Sequence, residues 1–538
     1  MPVIERAQLA ERLRRARQVP SRPPRGLTWL ASFVAIGAVL VAHNAYLFTT
    51  RIYEDSDFGA DTIAVLQAKH FQLLTGNYSR LGFYHPGPAF LYIEAWGEWL
   101  FHDVTHVVPT PWNGQLLAIL LLNAALLATV ISVFARYGGT AVAVAGLGTV
   151  LAFTVLHPLT VNSNWMPYVY FCPALLLLVS AAAVAAGRTT LVPLLCLAAG
   201  LCIHGQAEFL FFAPIVTVTA LAGLLAPHWR DPWVAFREDR RSWLAGLAIV
   251  VVFALPIVIN TIINWPGELP KYFSYGTRAG QTLHHTVAVA VDYTLQFWWP
   301  GEPARGEHPP EVVVAAVGGF LVTVLACWLA MRCRDQEQRR FLLWSLAMGA
   351  LMTVLFLYYA WRGIDEIYTA YEGYFYWSVP LLVLLVGAAG AVEQIQRVGA
   401  RVVIPVLAAM TVAAAVAAGV VPLRSEPYGP GQYFGDPAIP HDVAVLAAAS
   451  RGRPIVLDVS SLGWGDAVGV IVYADRIGVR ACVSEPSWTI MFRAQSICTP
   501  AELRDGTVFE FIGKSEQPRP PGRPLFVMLA SLVFPVAR

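Results

Sequence analysis

The chain is short of charge. Asp, Glu, Lys and Arg make up 13% of its 538 residues, about half the ~25% usual in soluble domains. That deficit excludes a soluble globular protein. With 57% apolar residues it also excludes a disordered chain, which needs the opposite balance. Familiar catalytic and metal motifs are missing as well: there is no CxxC, no HExxH, no glycine-rich nucleotide loop and no internal repeat. Cysteine is sparse. Cys172, Cys196, Cys202, Cys327 and Cys333 lie in or beside apolar stretches and read as core packing. Cys482 and Cys498 lie apart, in the tail, where a disulfide is allowed but spacing alone does not test its geometry. A net charge of +2 gives no reason to expect a nucleic-acid partner.

What the chain does hold is long apolar runs, and its mean hydropathy is +0.56. The runs are unbroken rather than alternating, which argues against a membrane β-barrel. They predict an α-helical polytopic membrane protein embedded in a lipid bilayer. Eleven stretches are long enough, or nearly so, to span: 27–49, 112–135, 140–157, 168–187, 189–206, 208–226, 243–264, 311–331, 341–360, 376–392 and 402–422. The first is too long for a signal peptide and no clean small-x-small site precedes Asp55, so it is expected to stay as a helix. With residues 1–26 as a cytoplasmic basic tail, the cytoplasmic segments hold 19 Lys and Arg and the longer outer loops hold 7. The positive-inside rule supports that orientation, in the plasma or inner membrane.

An odd number of spans sends the C-terminal part outside the cell. Residues 423–441 are Pro/Gly-rich and read as a linker. Beyond it, 442–450 and 465–476 look helical, while Pro454–Val459, Val479–Val483 and Phe526–Leu529 look like strands. The alternation predicts a small extracytoplasmic α/β domain over 442–538.

The outer loop 50–111, within a membrane domain of 27–422, is the most informative stretch. Glu54, Asp55, Asp57 and Asp61 follow directly on a transmembrane helix. Carboxylates at that depth are unfavourable unless solvated, paired or used. Residues 61–74 read as an amphipathic helix lying flat on the membrane, stopped by Gly76. Asp61 opens that helix, so capping explains it as well as chemistry does. His85-Pro86-Gly87-Pro88 forms a rigid turn, and 89–101 reads as a second, interfacial helix.

These features resemble the first outer loop of GT-C fold glycosyltransferases, polytopic enzymes that use polyprenyl-phosphate sugars. "ADTIAVLQAKHFQLLTGNYS" is similar to their acid-to-Gly-x-Tyr segment. "YHPGPAFLYIEAW" is similar to the His/Lys-Pro-Pro-Leu segment of the protein mannosyltransferase and aminoarabinose transferase branch. Uncharacterised bacterial membrane proteins with YSR-x-G-x-x-HPGP also look alike, as do "NWMPYVYFCP" at 164–173 and "NWPGELPKYF" at 264–273. The motif departs from the family at Thr62, where a second acid is usual; a divalent metal stays possible but its acidic pair is incomplete.

The resemblance implies a general base at Asp61, taking the proton of an acceptor hydroxyl as it attacks the anomeric carbon. The leaving lipid phosphate then needs positive charge. Outer-face candidates are Lys69, Arg80, His85, Lys271, Arg278 and Arg362, each of which also fits a headgroup-anchoring role. Asp55, Asp57, Tyr84, His204, Glu208 and Glu268 complete the candidate substrate-binding set. His204 and Glu208 fit a mutual pair equally well. The expected function is an inverting transfer from a polyprenyl-phosphate donor to a glycan, lipid or protein acceptor. Two rivals remain: a transporter or flippase of lipid-linked sugars, and a non-catalytic cell-envelope assembly subunit.

Overall fold

The structure, a computed structural model, describes residues 25–228, 233–274, 285–298, 310–420 and 435–536. Arg278 and most of the expected linker lie outside them. The chain begins with α1 (Arg25–His43), then α2 (Ser56–Lys69), a hairpin of β1 (Tyr78–Ser79) and β2 (Phe83–Tyr84), and α3 (Ala89–Gly97). The apolar helices follow: α4 (Pro111–Leu156), α5 (Phe171–Ala185), α6 (Val192–Gly205), α7 (Phe209–Leu225) and α8 (Arg240–Ile263). After α9 (Val287–Gln296) come α10 (Pro310–Arg332), α11 (Gln336–Arg362) and α12 (Ser378–Val420).

Among the described residues seven helices are long and apolar enough to cross a membrane. Two expected spans are merged into the 46-residue α4, which turns at Gly139, where φ is 74° and only glycine is at ease. The expected spans 376–392 and 402–422 likewise form the single α12. Helix α5 is apolar on every side, as a helix surrounded by others must be. It is buried throughout, between α4, α6, α7, α11 and α12.

Helix α2 departs from the expectation. It starts five residues before Asp61, with Asp55 as its N-cap residue, and ends at Lys69 rather than at Gly76. Asp61 therefore sits inside the helix, and capping does not explain it. Nor does α2 lie flat on a surface. Phe58 packs edge-on against Trp112 of α4, with ring centroids 5.7 Å apart. Ala60 and Ile63, on another face, belong to the core of the C-terminal α/β domain, termed outer after its expected side of the membrane.

That domain contains α13 (Ile439–Ser450), β3 (Ile455–Val459), α14 (Trp464–Arg476), β4 (Ala481–Val483), β5 (Thr507–Gly513), β6 (Phe526–Val527) and β7 (Ser531–Pro535). The sheet order is β4-β3-β5-β7-β6. Strands β4, β3 and β5 run parallel, with Ile455 opposite both Ala481 and Thr507, and β7 and β6 are antiparallel. Cys482 and Cys498 form a disulfide, their Cα atoms 4.9 Å apart. Strands β5 and β7 were not expected from the sequence. Helix α14 lies between the sheet and α2, and a Cβ on Gly59 would meet Val468 at 2.5 Å. Arg476, near the end of α14, reaches Glu54 at 2.7 Å and Glu98 at 3.2 Å, both buried. The two domains thus share a hydrophobic core and a buried ion cluster.

Candidate active site

Between the two domains lies a cavity of about 320 Å³. Its floor is α2, which presents Asp57 and Asp61 one helical turn apart. One wall is the hairpin with Asn77, Tyr78, Ser79, Arg80 and, just after it, His85. Trp165 and Tyr170, Gln206 and Glu208, and Tyr371 and Glu372 come from the ends of the apolar helices. Trp464 and Met491 of the outer domain close it.

Asp61 is 8% exposed, and its Oδ1 has no hydrogen-bond partner. Burial pushes its carboxyl well above the usual range, the charge of Asp57 adds to this, and Arg493 opposes it. Asp57 is engaged differently. One oxygen accepts from the Tyr78 hydroxyl and the other from Trp165 Nε1 at 3.0 Å. An aspartate held in place by two donors and a second one beside it with an oxygen left open can do different things: the first is fixed, and the second is free to accept a hydrogen bond.

The expected ring of cations is smaller than the sequence suggests. Arg80 is the described cation on the cavity wall, and it is shared with Asp365 at 2.6 Å, Glu366 at 3.0 Å and Glu372 at 3.2 Å. His85 also lines the cavity but is no cation: burial lowers its imidazole to about 4, and Nδ1 accepts from the Ala207 amide at 3.1 Å. Lys69 is turned away, bound to Glu98 and Asp103, each at 2.7 Å. Lys271 binds Glu268 at 2.9 Å, and Glu268 also accepts from the Tyr84 amide at 3.0 Å. Arg362 stacks over Trp361, 3.9 Å from the ring centre. None of Lys69, Tyr84, Glu268, Lys271 and Arg362 lines the cavity.

Asp55 points the other way, toward Asp466 and Asp436 at the domain junction, where burial and then Asp466 raise it to about 7. His204 and Glu208 do not pair. His204 Nε2 is 2.7 Å from the carbonyl of Phe253, whereas Glu208 accepts from the Tyr359 hydroxyl at 2.8 Å. His204 instead supports the turn, because its ring fills the space where a Cβ of Gly87 would stand. Of the candidates, then, Asp57, Asp61, Arg80, His85 and Glu208 share one cavity.

Sequence reasoning passed over Arg493, Trp464 and Met491, which reach the site from the far end of the chain with no local motif to mark them. From the sequence Glu94 reads only as a mark that 89–101 is interfacial, not as part of the site. It is fully buried with neither oxygen hydrogen-bonded, and burial and then Asp61 hold it well above the usual carboxylate range. Among the described residues no three His, Cys, Asp or Glu side chains come together to hold a metal ion. With Asp57 bound to Tyr78 and Trp165, the residues present do not fit a divalent site.

No family model matches the chain, and no curated protein matches its sequence. Solved structures do. ArnT from Cupriavidus metallidurans in the apo state is 14% identical, with a TM-score of 0.57 over 95% of this chain and 98% of that one. The same protein bound to undecaprenyl phosphate gives 0.56 over 94% and 98%, again at 14% identity. The fold is of the GT-C kind. The likeness takes in the outer domain as well as the helices, since nearly the full length of both chains is covered.

Proposed function

We propose that the protein is a membrane glycosyltransferase that moves a sugar from a polyprenyl-phosphate donor to an acceptor hydroxyl on the extracytoplasmic side. The observation that carries this reading is the unpartnered Asp61 oxygen in a cavity whose wall also holds Arg80. The ArnT likeness supports it, because that protein binds undecaprenyl phosphate within the same fold. The orientation rests on the Lys and Arg bias and is supported by the disulfide of the outer domain, which suits an oxidising compartment.

In the proposed reaction the acceptor oxygen forms a bond to the anomeric carbon as the bond from that carbon to the phosphate oxygen breaks. The acceptor's proton passes to Asp61, and the electron pair leaves with the polyprenyl phosphate. Attack from the face opposite the leaving group inverts the anomeric centre. Asp61 suits the task because burial raises its basicity, so an ionised Asp61 accepts a proton more readily than an ordinary carboxylate. Arg80 supplies charge for the leaving phosphate, exchanging part of its bonding to Asp365 and Glu372 for the phosphate oxygens. Asp57 remains fixed by Tyr78 and Trp165 and orients the incoming groups.

The test uses purified protein with a panel of polyprenyl-phosphate sugars and follows free polyprenyl phosphate. Asp61→Asn is expected to lower release by at least ~10²-fold while the melting temperature stays at or above that of the wild type. Release at the wild-type rate by a folded Asp61→Asn protein removes Asp61 from the role of base.

A further inference from the structure

Arg493 is 7% exposed, yet among the described residues it forms no ion pair with a carboxylate. Its donors end on neutral oxygens: Gly76 carbonyl at 2.6 Å, Thr75 Oγ1 at 3.2 Å and Gln67 Oε1 at 3.4 Å. Its guanidinium stacks 4.6 Å from the centre of the Tyr84 ring, and the Tyr84 hydroxyl returns to the Thr489 carbonyl at 2.8 Å. Burying a guanidinium without a partner charge is unfavourable. The backbone adds to that, since Arg493 has φ 57° and ψ 159°, a region used almost wholly by glycine. Both penalties fall on one residue, at the point where the outer domain meets the base of the hairpin.

We propose that Arg493 is a positioning residue supplied by the outer domain: it locks the base of the 75–85 hairpin and brings a guanidinium charge to bear on Asp61. The inference rests on Asp61 being the base. The grip is direct. Gly76, whose carbonyl Arg493 holds, donates its amide to the His85 carbonyl at 2.8 Å, and His85 returns its amide to Asn77 at 2.9 Å. The strands between them carry Tyr78, Ser79 and Arg80 into the cavity. A shift of Arg493 therefore shifts the wall that faces Asp61.

The charge argument is equally specific. The described charges that act on Asp61 are Asp57 on its own helix and Arg493, while Glu94 on α3, Tyr78 on β1 and Tyr170 ahead of α5 face it and are themselves raised by it. Arg493 is the positive one. It opposes Asp57 and the burial that favour protonation, and so lowers the pH at which Asp61 ionises.

The test needs no sugar donor, so its outcome is separate from that of the transfer assay. Dicyclohexylcarbodiimide couples to protonated carboxyls in apolar surroundings. Its incorporation at Asp61 in the full-length protein, read by peptide mass as pH is varied, gives the midpoint of that carboxyl. Asp61→Asn identifies the labelled peptide. Arg493→Met is expected to move the midpoint up by about one pH unit or more and to speed hydrogen exchange in 75–85. Arg493→Lys, which keeps the charge, is expected to leave the midpoint near that of the wild type. Arg493→Gln supplies the same measurement should the methionine variant fail to fold. A midpoint equal in wild type and neutral variants overturns the proposal, as does one that moves equally far in Arg493→Lys. Absence of Asp61 labelling at any pH in all of them overturns it too.

Discussion

At the scale of single residues the site is a problem of two like charges. Asp57 and Asp61 stand one turn apart, and the negative neighbour raises Asp61. Tyr78 and Trp165 donate to Asp57, whereas Asp61 Oδ1 has no donor. The sign of a test follows. Asp57→Asn removes the negative neighbour that raises Asp61, so Asp61 ionises at lower pH. The acid limb of the pH profile of kcat/KM is expected to move downward, opposite to the effect of losing Arg493. A limb that stays in place, or moves upward, contradicts the coupling. Much of this pair was legible in the sequence, because acids directly after an apolar helix are conspicuous. Its charge partner was not. Arg493 lies in MFRAQ, more than 400 residues away, and only folding brings it to Thr75 and Gly76. Lys69 and Lys271 are drawn off by acids: Lys69 by Glu98 and Asp103, which only folding brings to it, and Lys271 by Glu268, one turn before it.

Elements tell a similar story. Residues 61–74 were expected to form a surface helix because one apolar face was visible in the pattern. The actual α2 uses two apolar faces, Phe58 against α4 and Ile63 against the outer domain, and neither contact is local. Tertiary packing therefore starts the helix early and carries Asp61 inward. The turn that follows was easier to read, since His-Pro-Gly-Pro restricts the backbone by itself. Its glycine has a further task that only the structure reveals, for the ring of His204 stands about 2.3 Å from any added Cβ. Gly87→Ala is expected to push α6 from the turn and to destabilise the protein by about 1–3 kcal/mol. Thermal unfolding in detergent measures it, and an unchanged melting temperature means the two elements separate freely. Strand β5, TVFEFIG, carries an acid amid its apolar residues and no clean alternation, and β7 is recognisable only once it pairs with β5.

For the whole molecule, composition and the pattern of apolar runs were enough to predict a helical membrane protein with an α/β tail, and the fold agrees with that class. What composition cannot carry is the docking of the two parts. Arg476 joins Glu54 and Glu98, both buried, across the junction. Arg476→Met leaves Glu54 without its cation, and breaking such a buried pair typically costs about 3–5 kcal/mol. The expected result is earlier thermal unfolding and faster hydrogen exchange in 53–56, with the outer sheet itself still protected. Equal exchange in variant and wild type would mean that the shared core holds the parts together unaided. The cavity wall contains Trp464 and Met491, whereas the acids of its floor belong to α2. The proposed base and the surface that would meet the incoming molecule thus come from stretches more than 400 residues apart. Exchanging the downstream stretch would therefore change the fit of the incoming molecule and, through Arg493, the setting of Asp61 together.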